Sequence, residues 1–591
     1  MLYKAYASLA VWWVLPSGFL LTVGEAIGLA FTRRARQAGA VIAGWFPGRQ
    51  RGAELRRARV ATQKLREVDD AEVRDLMVRG SARFRSLLVQ RLHARDRLAY
   101  ASSRARVRME QTRAQMRRTP AILLGIVAVL IAFGSRVLIF HRVPAIGGFQ
   151  PWPGVGSLWS TFTSTWRYTM VGARVPATPM FALMSLLSTV LLGHGGMART
   201  IVVVGALPLG TWGAYRLARS LTRAALPAAV AATAYAANPV GRDAIGRGDI
   251  GPLVLFALAP FVLHALIRAT AANERGRRGA LHSVLTVGVF GAIATAAWPP
   301  AILFPVLVAV AFALSTLFAL GDWSPLRAGA LALLGAAVSV VLVSPWIWSM
   351  LGADPATQSR RARAPLTLGD ALRFDSGPAR SGWYTLGLLV IAFVPLVIAT
   401  GPRLVWATRM WLLALLSFLL VWLPTRLSVT AAVPAPEGVL VPAAIGLAVA
   451  AGLGVSALLD DMRRSRFGWR QASAVAAVVG LTLPLVALAA DTVSGRWQLP
   501  STDWPTAVAW MGNQPTPGGF RVLWLGDPAV LPVDAKIADG FAYGLTRDGA
   551  GDARSLWAAP EHEADRTLAR AVVTARAGDT ARLGHLLAPI G

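Results

Sequence analysis

Apolar residues fall along this chain in long runs, and polar residues gather in the stretches between them. Such runs occupy 9–31, 120–140, 201–215, 225–240, 252–267, 284–297, 302–320, 329–348, 386–400, 411–422, 439–459 and 472–490. A helix needs about 20 mostly apolar residues to cross a bilayer. The pattern therefore predicts a mainly α, polytopic membrane protein with about 12 spans. The run 179–193 is too short to cross and reads as a re-entrant or interfacial helix. Beyond 490 the rhythm changes. Residues 520–525 read as a strand and 565–577 as a helix, which predicts a small α/β tail over 491–591.

Composition agrees with a bilayer setting. Of 591 residues 55% are hydrophobic and 15% charged, against roughly 25% charged in a soluble domain. Net charge is +30, and it sets the topology. Between Thr32 and Thr119, Lys and Arg outnumber Asp and Glu by 23 to 8, half of the net charge of the whole chain. Positive loops stay inside, so 32–119 is expected to be a basic cytoplasmic segment following a first span within 1–31. Val73, Leu76, Met77, Phe84, Leu87, Leu88 and Leu92 recur there at helical spacing. That stripe suits either a helix on the inner leaflet or a docking surface for a cytosolic domain. If 179–193 does not span, Arg216, Arg219, Arg223, Arg275, Arg277 and Arg278 also fall inside, with Arg327, Arg403, Arg409, Arg463, Arg464 and Arg466. The polytopic domain 120–490 then presents outer loops 141–200, 241–251 and 351–383, and the tail is extracytoplasmic.

Other chemistry is excluded by what is missing. The chain has no Cys and 7 His, with no His-x-x-x-His pair, which removes disulfides, thiolates and the usual zinc patterns. No nucleic-acid motif accompanies the basic charge. No Gly-rich phosphate loop or nucleophile elbow occurs. Neither a metal nor another cofactor is expected.

The candidate site lies on the outer loops. The segment 241–250 offers Arg242, Asp243, Arg247 and Asp249. A carboxylate there can act as a general base and an arginine can hold a phosphate; the blander reading is that they cap helix ends and pair with one another. The loop 141–178 carries Arg142, Trp152, Trp159, Trp166, Arg167 and Arg174 and no Asp or Glu. Such aromatics and arginines suit a sugar phosphate, and tryptophan also belongs to the membrane interface. Arg360, Arg361 and Arg363 break the positive-inside trend and invite a lipid-linked phosphate. Glu25 is an ionisable residue inside the first apolar run.

Several stretches carry a family likeness. They are Val68–Arg74 with Val78–Arg83, Pro144–Gly147 with Pro151–Gly154, Leu207–Gly210 through Tyr215–Arg219, Phe520–Pro528 and Leu586–Pro589. In these the chain resembles the membrane half of large actinobacterial family 2 glycosyltransferases. The order of its spans is similar to the GT-C fold of arabinofuranosyltransferases that use polyprenyl-phosphate sugars. The resemblance implies an outer loop with a short helix and a catalytic aspartate. Here that loop lacks any carboxylate, and Asp243 and Asp249 are the nearby substitutes. The family's cytosolic GT-A domain, with its Asp-x-Asp metal site, has no counterpart in the sequence. A fragment, a split gene product and a stand-alone membrane subunit all fit.

The resulting expectation is a multi-pass cell-membrane protein, the membrane module of a cell-envelope glycosyltransferase that handles a polyprenyl-phosphate sugar or nascent glycan. Its expected partners are membrane lipids and a cytosolic glycosyltransferase domain or subunit, not nucleic acid. Two other readings remain open: a flippase for a lipid-linked saccharide, and a non-catalytic scaffold for a cytosolic transferase. The spans carry almost no charge and show no clear repeat, which counts against ion-coupled transport.

Overall fold

The computed structural model describes Arg57, Val60 and Ala61, then 106–271, 276–316, 324–351, 366–379, 382–427, 434–462, 470–513, 519–527, 531–539, 541–547, 549–557 and 559–588, except Tyr168. The expected first span, Glu25, the stripe from Val73 to Leu92, and Arg360, Arg361 and Arg363 lie outside the described residues. The chain forms two compact units, 1–102 with 400–402, and 103–399 with 403–591. The second unit holds the helix bundle and the tail.

Among the described residues the α-helices of seven residues or more are α1 (Arg106–Gly134), α2 (Val155–Thr163), α3 (Met180–Val190), α4 (Gly195–Thr222), α5 (Ala225–Ala237), α6 (Val240–Gly246), α7 (Ile250–Ala271), α8 (Gly276–Ala297), α9 (Leu303–Ser315), α10 (Ser324–Leu342), α11 (Leu386–Ile398), α12 (Pro402–Leu427), α13 (Pro436–Met462), α14 (Arg470–Asp491) and α15 (Glu563–Arg576). Among the described residues, 7 helices are long and apolar enough to cross a membrane: α4, α7, α8, α10, α12, α13 and α14. The apolar parts of α1, α9 and α11 are shorter.

Of these 7 helices α13 is the most enclosed, with 94% of its apolar window buried. Alanine and glycine dominate its sequence, and small side chains let neighbouring backbones approach closely. The run 225–240 was expected to span as one helix. It stops at Ala237, because Pro239 disfavours helical geometry at Asn238. Asn238 Oδ1 then accepts from the Val240 N–H at 3.0 Å at the start of α6. Within α7, Pro260 has no N–H to give to the Phe256 carbonyl. The Tyr235 hydroxyl donates to that carbonyl at 2.7 Å, and its ring stacks on Phe256 at 4.2 Å. A buried tyrosine thus satisfies the backbone group that the proline leaves open.

The helix α3 has 11 residues, about 16 Å of helix against a hydrocarbon core of about 30 Å. Both of its ends sit at one end of the bundle. Before it, Thr178 Oγ1 donates to Ala296 O at 2.9 Å. After it, α4 begins, and the Arg199 guanidinium donates to Phe149 O at 2.8 Å and Val143 O at 2.6 Å. Leu186, Val190 and Leu192 are exposed along this excursion.

The C-terminal region packs at the same end of the bundle. Two-residue strands β1 (Trp166–Arg167) and β2 (Ala173–Arg174) pair in the loop between α2 and α3. Strands β3 (Arg521–Gly526), β4 (Lys536–Ala538) and β5 (Phe541–Arg547) form an antiparallel sheet in the order β3-β5-β4. Lys536 Nζ lies 2.6 Å from Asp565 Oδ2 in a buried ion pair, and Asp565 also accepts from the His562 and Val171 N–H groups. One carboxylate therefore joins the sheet, the start of α15 and the loop before α3.

Candidate functional site

Four chain segments meet at the tail end of the bundle, held by backbone and side-chain hydrogen bonds. Gly148 N donates to Gly248 O at 2.7 Å, and Ala553 N to Pro151 O at 2.9 Å. Ala145 N donates to Asp503 Oδ2, the Trp557 indole to Ala297 O, and the Trp497 indole to Ser135 Oγ. Loop 141–178, the α6–α7 junction, the segment 374–379 and the tail form one connected polar layer above the helices.

At its centre lies the 241–250 segment, expected as a loop and found as α6 with a tight turn. Arg242 Nε lies 3.1 Å from Asp491 Oδ2, each side chain 1% exposed. Arg247 Nε lies 3.4 Å from Glu437 Oε1, which is fully buried. Burial lowers the pKa of Arg242, and Asp491 and then Asp243 oppose the shift. Asp243 is buried, and its carboxylate accepts from Ser376 Oγ and Ala379 N, both at 2.8 Å. A Cβ at Gly377 would stand 2.5 Å from Asp243 Cγ and Oδ1, so only glycine lets the segment close over the carboxylate. The Asp249 side chain is also buried, and its N–H donates to Ala244 O at 2.7 Å. The two aspartates nominated as catalytic are thus enclosed, with the Asp243 oxygens engaged by the 374–379 segment. These two ion pairs do not join residues of this segment to each other. They reach the ends of α13 and α14.

Burial pushes the Asp243 carboxyl up to about 7, with the Ala379 and Ser376 bonds opposing. The sign follows from proton uptake. Between the ordinary carboxylate value of 3.8 and about 7, the folded protein holds a proton here that the unfolded chain has released. Stability at this group therefore falls as pH rises through that window, and the loss is complete above it. Heating the protein in detergent at pH 5 and pH 8 should show this fall, and Asp243→Asn should reduce the difference.

The remaining nominated residues divide by exposure. Trp152 is 8% exposed, packed against the first turn of α4. Arg167 is 1% exposed; it donates to Leu556 O at 3.2 Å and lies over the Phe181 ring. Burial lowers its pKa to about 10, with Asp534 opposing. Both serve the packing of the loop and present no face to a soluble ligand. Trp159 and Trp166 are 53% and 40% exposed, and Arg142 and Arg174 are exposed on the same loop. Beyond them, Arg373 lies under the exposed Trp383 ring at 5.2 Å.

Sequence reasoning missed Glu437, Asp491 and the Ser376–Ala379 segment. A signal existed for the two acids, because each stands at the end of a long apolar helix, where a carboxylate needs a partner. Among the described residues no three His, Asp or Glu side chains gather as a metal site. No family model matches the sequence, and no curated protein matches it either.

Proposed function

We propose that the chain is the membrane module of a cell-envelope glycosyltransferase and holds a polyprenyl-phosphate sugar or nascent glycan at the tail end of its bundle, on the outer side of the membrane. The supporting observation is the loop 141–178. It exposes Trp159, Trp166, Arg142 and Arg174 while Arg167, Arg199 and the tail fix its backbone. Aromatic faces stack on sugar rings and arginines pair with phosphate. A pre-ordered surface of this kind binds without first losing conformational entropy. The enclosed Asp243 holds the 374–379 segment and does not face this surface, and the transfer step belongs to a partner domain or subunit. The likeness of the sequence to the membrane half of family 2 glycosyltransferases points the same way.

The test is binding of a labelled polyprenyl-phosphate sugar to the purified chain in liposomes. Combined Trp159→Ala and Trp166→Ala should weaken binding at least tenfold, the loss of about 1.4 kcal/mol or more. Asp243→Asn should leave binding unchanged. Equal binding by the double variant would remove the loop from the site. Catalysis within this chain would appear as sugar transfer that Asp243→Asn or Asp249→Asn abolishes.

A further inference from the structure

At the end of the bundle opposite the tail, α4, α7 and α8 surround a partly open cavity of about 550 Å³. Its wall has two parts. Near the helix ends stand Arg216 on α4, Arg268 in the last turn of α7 and His282 near the start of α8. Deeper in, Leu209, Trp212, Phe261 and Phe290 make an apolar wall, with ring centroids 5.6 Å apart for Trp212–Phe261 and 5.9 Å for Phe261–Phe290.

Among the described residues the polar part lacks counter-charge. No Asp or Glu lines the cavity among the described residues. The Arg268 and His282 side chains make no hydrogen bond or ion pair among those residues, and Arg216 lies over the Trp212 face at 5.0 Å. His264, in the wall between the two parts, has a buried Nδ1 with no hydrogen-bond partner among the described residues. The apolar part is open to the side, with Trp212 51% and Leu209 39% exposed.

We propose that this cavity binds one anionic phospholipid, its phosphate held by Arg216, Arg268 and His282 and one hydrocarbon chain lying along Trp212, Leu209 and Phe290. Two guanidinium groups with no carboxylate beside them among the described residues suit a group of net negative charge. A zwitterionic lipid would bring its own ammonium among them. Free phosphate would leave the apolar wall unused. Leu209 precedes Arg216 by seven residues, about 10 Å along the helix, so the wall follows a chain running from the headgroup toward the midplane. Such a site would anchor the ends of α4, α7 and α8 to the charged leaflet.

The test is native mass spectrometry of the full chain taken from vesicles containing equal phosphatidylglycerol and phosphatidylcholine. The expected result is one phosphatidylglycerol retained per chain, preferred at least tenfold, and not displaced by millimolar inorganic phosphate. Arg216→Gln with Arg268→Gln should remove the preference. Arg277→Gln with Arg278→Gln, which lowers the charge equally outside the cavity, should keep it. Retention of both lipids alike, displacement by inorganic phosphate, or an equal loss in both double variants would overturn the assignment. Because both cavity arginines are exposed, their variants should fold, and circular dichroism of each checks this.

Discussion

Replacing Arg242 with methionine is expected to cost about 3–5 kcal/mol and to leave little folded protein in detergent. The substitution takes away the guanidinium that lies 3.1 Å from Asp491, whose side chain is 1% exposed. Asp491→Leu alone should do comparable harm by stranding Arg242, whose Nη1 and Nη2 have no hydrogen-bond partner among the described residues. The double variant should recover much of the loss, because a buried ion pair replaced by apolar groups of similar volume is often neutral. Apparent melting temperatures of the four proteins make the cycle. A double variant no better than the worse single one would mean that the pair is not the main link between α6 and the end of α14.

Gly248→Ala is the second large effect. Gly248 has φ +72°, where a side chain already costs about 1–2 kcal/mol. Its Cβ would also collide with the Ile146 carbonyl, 3.0 Å from the carbonyl carbon. That is the point where Gly148 N bonds to Gly248 O. The alanine must push loop 141–150 off the α6–α7 junction. Gly193→Ala is the matched control, with φ +87° and nothing within 4 Å of the added Cβ. The Gly248 variant should lose several degrees more in melting temperature than the Gly193 variant, and should expose 141–178 to protease. Equal losses would show that the close approach matters little.

The helical membrane character was legible because it rests on local pattern. The expected strand at 520–525 lies at Arg521–Gly526, and the expected helix at 565–577 lies at Glu563–Arg576. The short run at 179–193 was recognisable by length. What sequence could not give was pairing across distance. Arg242 and Arg247 stood out as charges between spans, but their partners come from the far ends of α14 and α13. Only the packing path of those helices brings them together. Trp152 and Trp159 look alike in sequence, yet one is packed under the loop and the other stands on it. Their difference comes from how Gly195 and the tail fix the loop, which no spacing rule records. The end of α5 was misjudged because hydropathy continues through Pro239 while helical geometry does not.

A lipid-linked sugar held against the exposed face of loop 141–178 should be close enough to label it. The most direct measurement is photo-crosslinking of a diazirine-bearing polyprenyl-phosphate sugar to the purified chain in liposomes, with the labelled peptides mapped. Label should concentrate between residues 155 and 174, be competed by unlabelled donor, and be lost with Trp159→Ala and Trp166→Ala. Labelling that leaves this loop untouched, with the protein folded, would contradict the proposed site.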